Sequence, residues 1–83
     1  MTRQISVHLA ADFAEAYATV LDISRGTRIS SLRSHVEEIE KYEALAKRIG
    51  IGMFSEPFIK AARATAINSD ARRRAAYREL FSA

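Results

Sequence analysis

From Leu32 to Ile49 the apolar residues return every three or four positions: Leu32, Val36, Ile39, Tyr42, Ala46 and Ile49. That spacing lines one side of an α-helix. Ser30 or Ser31 can cap its start and Gly50 and Gly52 its end. Glu37 precedes Lys41, and Glu43 precedes Lys47, by four residues, the favourable order for ion pairs on a helix surface. A helix with so long an apolar stripe must cover it with another helix, from its own chain or from a second one. Whatever this chain becomes is therefore built on helix packing.

The core available for that packing is small. The chain has 83 residues, 48% of them hydrophobic, but only three tyrosines, four phenylalanines and no tryptophan. Such a domain buries roughly 60–65% of its unfolded surface and is marginal alone. Self-association is the usual remedy, so a homodimer is expected. Cysteine is absent, which excludes disulfides and thiolate metal sites. No apolar run approaches the ~20 residues that span a membrane, and the start of the chain lacks a basic-then-apolar leader. The expectation is a soluble, cytoplasmic protein.

Upstream, Asp12 can cap a helix, with Glu15 in capping-box position. Phe13, Ala16, Tyr17, Val20 and Leu21 give that helix an apolar side, and Gly26 suits the left-handed turn that stops it. Downstream, Ile51 to Phe54 is apolar enough to tuck into the core. Ser55-Glu56-Pro57 predicts a third helix, with Phe58, Ile59, Ala62 and Ala66 inward. Asn68-Ser69-Asp70 predicts a turn that caps a fourth helix ending near Phe81, with Ala76, Tyr77, Leu80 and Phe81 on its apolar side. Residues 1–50 read as a dimerising core and 51–83 as a basic helical extension.

Charge sharpens that division. The formal net charge is +3 and the isoelectric point is near 9.7. Lys60, Arg63, Arg72, Arg73, Arg74 and Arg78 lie beyond residue 56 against only Asp70 and Glu79, while Glu37, Glu38, Glu40 and Glu43 cluster in the middle. An acidic partner, nucleic acid among them, fits such a tail.

The chemistry of catalysis is hard to find. His8 and His35 are the two histidines, and neither has metal-ligand spacing around it. Gly50-Ile51-Gly52 matches neither phosphate-loop nor dinucleotide patterns. The expectation is no enzyme, no metal, no cofactor and no small-molecule substrate, with His35 a surface or interface residue.

Residues 3–9, "RQISVHL", carry the main ambiguity. As a strand, Ile5, Val7 and Leu9 alternate with Gln4, Ser6 and His8. A lone strand leaves its backbone groups unpaired, and pairing with the same strand of a second copy would satisfy them. With "QISVHL" as a ribbon, "DFAEAYATVLDI" as the first helix, Gly26 as the turn and "SSLRSHV" opening the second, residues 4–36 resemble the ribbon-helix-helix family of DNA-binding regulators, Arc-type repressors in particular. The resemblance implies a mainly α dimer with one short strand from each subunit, acting as a sequence-specific transcriptional regulator on double-stranded DNA. It also implies that Gln4, Ser6 and His8 read base edges from the major groove. Ser30 and Ser31 would clamp a phosphate at the second helix N-terminus, and Arg3 and Arg28 would add phosphate contacts.

The same residues also read as helix. Gln4 and His8 continue a polar stripe through Asp12, Glu15, Thr19 and Asp22, and Ala10-Ala11 favours an early helix start. The chain is then an all-α hairpin or small bundle that binds a host protein as adaptor or inhibitor. In that version Arg72, Arg74 and Arg78 face an acidic partner, with Tyr77 and Phe81 as anchors.

Overall fold

The computed structural model describes residues 6–82, and Arg3 and Gln4 lie outside them. Three helices follow one another: α1 (Val7–Arg25), α2 (Leu32–Ile49) and α3 (Gly52–Phe81). Each packs on the other two. α2 runs antiparallel to both neighbours, so α1, α2 and α3 form an up-down-up bundle. The all-α expectation fits, and no strand occurs among the described residues.

The extended reading of the first segment does not hold for Val7, His8 and Leu9, which are helical. Ser6 caps them: its hydroxyl oxygen accepts from the Leu9 N–H at 3.0 Å, filling one of the orphan donors of a helix start. Asp12, expected as the cap, is instead an exposed residue in the second turn. With a serine cap upstream and Ala10-Ala11 between, nothing delays the helix until residue 12.

Gly26 and Gly50 end α1 and α2 as expected, whereas Gly52, expected with Gly50 at the end of α2, instead opens α3. Gly26 (φ 72°) and Gly50 (φ 86°) both take the left-handed conformation. At each, the following residue closes the turn, Thr27 N–H to the Asp22 carbonyl and Ile51 N–H to the Ala46 carbonyl. Such closure needs a positive φ that costs glycine nothing. Ser31 caps α2, accepting from the Ser34 N–H at 3.1 Å.

α3 departs most from expectation. It starts at Gly52, so Met53 and Phe54 belong to its first turn and stand 82% and 83% exposed rather than in the core. The core register of α3 is Ser55, Ile59, Ala62 and Ala66, and neither residue falls on it. The Ile51 carbonyl accepts from the N–H groups of Phe54 and Ser55, which closes a helical turn before Pro57 is reached. Pro57 sits exposed one turn further in, leaving the Met53 carbonyl without its usual donor. The expected turn at Asn68-Ser69-Asp70 is absent, and the third and fourth helices are one of 30 residues. Asp70 pairs forward with Arg74 at 3.0 Å and Arg73 at 3.8 Å, spacings that only a continuing helix supplies.

The core joins Ala16, Val20 and Ile23 from α1, Ile39, Tyr42 and Leu45 from α2, and Ile59, Ala62 and Ala66 from α3. The α3 alanines let its backbone approach closely, offsetting the shortage of large side chains. Phe13 stacks on Tyr42 with ring centroids 5.3 Å apart, and Phe58 meets Tyr42 edge-on at 5.6 Å and Tyr17 at 5.4 Å. Offset and edge geometries of this kind add about 0.5–1.5 kcal/mol per pair beyond burial. The C-terminal third thus contributes Ile59, Ala62 and Ala66 to the core.

The helices differ in length. At ~1.5 Å per residue, α3 runs to roughly 45 Å against about 28 Å for α1. Its surplus projects past the α1–α2 loop as an arm, and the principal extents reach 65 × 21 × 16 Å. Among the described residues no helix is long and apolar enough to cross a membrane.

Candidate functional site

Two features meet where the arm leaves the bundle. The first is a cavity of about 180 Å³ lined by Gly26, Arg28, Ile29, Ser30, His35, Ser69 and Arg73. Three elements supply it: the α1–α2 loop, the first turn of α2, and α3 one and two turns beyond its last core residue. Arg73 is held across the opening by its Nη2, which donates to the Ser30 carbonyl at 2.8 Å. Arg28 Nη2 donates to Ser34 Oγ at 3.2 Å.

His35 forms part of the wall. It is only 4% exposed, yet neither ring nitrogen finds a hydrogen-bond partner among the described residues, and Arg28 Nη1 is buried in the same condition. Buried polar atoms are ordinarily satisfied, so three orphans at one cavity need an explanation. The His35 pKa is lowered, first by burial and then by the Arg28 guanidinium, with a smaller push from Arg73. The Arg28 carbonyl pulls the other way, near enough to favour a charged ring without meeting hydrogen-bond geometry. Burial first, and then two cations with no carboxylate among the lining residues, therefore bias the ring toward neutrality.

The second feature is the arm. Every residue from Ala71 to Ser82 is exposed. Tyr77 and Phe81 stand 65% and 72% exposed, their ring centroids 4.6 Å apart. Arg73, Arg74, Tyr77 and Arg78 line a shallow hollow of about 350 Å³ on this helix. A larger groove of about 670 Å³ lies between α2 and α3. Glu43 and Glu56 alternate there with Lys47, Lys60 and Arg63, and Arg63 meets Glu43 at 3.5 Å. Its charges largely answer one another, which makes it an ordinary solvated seam.

Sequence-predicted residues are distributed unevenly over these features. Ser6 is used as a cap, and His8 is exposed in the first turn of α1. Both sit at the end of α1 opposite the loop that carries Arg28, Ser30 and Ser31. Arg28 and Ser30 do enter the cavity, whereas Ser31 is exposed and spent as the α2 cap. Arg72, Arg74, Tyr77, Arg78 and Phe81 are together on the arm. His35 is buried, not a surface residue, and Arg73 was not among the residues singled out. A signal for both existed in the register. His35 falls between Leu32 and Ile39 on the α2 stripe, and Arg73 lies one heptad beyond Ala66 on the buried side of α3.

No protein-family model matches the chain, and none of the curated proteins or solved structures compared with it is similar.

Proposed function

We propose that this chain is a small helical protein-binding module whose α3 arm docks on an acidic partner protein. The observation that carries this is the twelve exposed residues from Ala71 to Ser82, with an aromatic pair set among arginines. A helix of that length held to the bundle only near its base, by the Arg73–Ser30 bond, is marginal in water, and exposed apolar clusters mark interaction surfaces. Tyr77, Leu80 and Phe81 are the anchors, and Arg72, Arg74 and Arg78 meet carboxylates around them. A second copy seated arm against arm would oppose arginines to arginines, so the occupant is a different protein with an apolar groove rimmed by Asp and Glu. The DNA-reading alternative has less support, because its ribbon requires alternation through Val7 and Leu9, which α1 takes into a helix.

The test is affinity capture from host cells by the full chain, alongside Tyr77→Ala/Phe81→Ala and Arg74→Glu/Arg78→Glu chains, with cross-link mapping of the contact. A protein held by the unaltered chain, lost by both variants and touched through an acid-flanked apolar segment supports the reading. An arm-dependent homodimer in sedimentation equilibrium overturns it. So does duplex DNA binding that survives the aromatic substitutions but not the arginine ones.

A further inference from the structure

The cavity under the arm asks for a ligand of its own, apart from the arm's protein contact. His35 and Arg28 present three buried nitrogens that make no geometrically sound hydrogen bond among the described residues, with only the Arg28 carbonyl near the ring. Arg73 supplies a second guanidinium, and its Nη2 is tied only to a backbone carbonyl and, loosely, to Asp70. Every charged side chain lining the space is cationic. Water can satisfy one or two orphan donors, but it leaves the Arg28 guanidinium, which has no carboxylate partner among the described residues, uncompensated beside Arg73, which shares Asp70 with Arg74. Guanidinium pairs bind oxyanions through charge-assisted, bidentate bonds. Two of them from different sides meet the several oxygens of a tetrahedral oxyanion more fully than the two of a planar carboxylate.

We infer that this cavity is a binding site for a small tetrahedral oxyanion of the phosphate class, free phosphate or a compact phosphomonoester, held by Arg28 and Arg73 with the His35 ring as an additional donor. A volume of about 180 Å³ admits such an anion with a small substituent and little more. The charged groups facing the ring are Arg28 from the loop and Arg73 from α3. α1 contributes no residue to the lining, and Asp70 is engaged by Arg73 and Arg74. Burial and the two cations together disfavour ring protonation; an arriving anion offsets the cations, so binding favours a proton at His35. Affinity for an anion of fixed charge, such as sulfate, therefore weakens as pH rises through the pKa of His35 in the bound state.

The experiment is a titration of the full chain with inorganic phosphate, followed by the His35 ring signals in NMR at several pH values, at constant ionic strength. Sulfate, which keeps its charge over this range, isolates the contribution of the ring. Both anions should give a saturable His35 shift and raise its titration midpoint. Arg28→Gln and Arg73→Gln should each weaken binding about ten- to a hundredfold. Ser69→Asp, which places a carboxylate in the lining with the core untouched, should abolish it in a chain shown to be folded by circular dichroism. A His35 signal that does not saturate with either anion, or responds equally to chloride, overturns the inference. So does tighter binding of a short DNA duplex than of phosphate at the same residues.

Discussion

Arg73 of α3 donates to the carbonyl of Ser30, 43 residues earlier, at 2.8 Å. This bond ties the base of the arm to the loop that ends in the α2 cap. The donor is charged, which raises its worth, and its side chain is half-exposed, which lowers it. Arg73→Met is expected to cost about 1 kcal/mol, read as a lower urea midpoint with an unchanged slope.

Ile39 is fully buried between α1 and α3. Ile39→Ala removes packing that a core of alanines cannot replace by collapsing, and should cost about 2–5 kcal/mol. A chain of this size holds only about 4–12 kcal/mol in all. Chemical denaturation should therefore show a variant close to unfolding at ambient temperature, while Ile39→Val should lose no more than about 1.5 kcal/mol.

His35 gives the fold a pH dependence. Its pKa is lowered from the usual 6.5, so below 6.5 the unfolded chain takes up a proton before the folded chain does. Its contribution is fully present above pH 6.5 and is lost as pH falls from there through the lowered folded-state value. The denaturation midpoint measured in a buffer free of phosphate and sulfate should fall across that window. His35→Gln should flatten the response.

The arm and the bundle should separate cleanly. Ala76→Pro places proline where an exposed helix has no tertiary contact to oppose the cost of about 3 kcal/mol. Far-ultraviolet circular dichroism should lose the helix beyond the bundle, while the thermal midpoint stays where it was. A matching fall in the midpoint would mean that the arm supports the core.

Much of this architecture was legible locally. The stripe from Leu32 to Ile49 needed only a period and two caps, and Ser31, Gly26 and Gly50 act within a turn of themselves, so α2 and the end of α1 stand where the pattern puts them. Seven residues such as "RQISVHL" satisfy both a two-residue and a 3.6-residue period, and so short a stretch does not separate them. Ser6 as a cap, followed by helix-favouring alanines, explains the outcome for residues 7–9.

Asn68-Ser69-Asp70 is turn-forming by composition, yet α3 runs through it. Ala66 is anchored in the core just before it, and Asp70 pairs with Arg73 and Arg74 just after. Propensities of a few tenths of a kcal/mol yield to such contacts. The candidate sites divide in the same way. The arm's arginines and aromatics announce themselves in sequence, because an exposed helix keeps its residues near their neighbours in the chain. The cavity does not, since His35 and Arg73 are 38 positions apart. The residue types, helix ends and charge of this protein are thus properties of its sequence. That an imidazole and two guanidiniums share one partly closed space was decided only by the antiparallel packing of α3 on α2, which sets the register between segments that no local interaction connects.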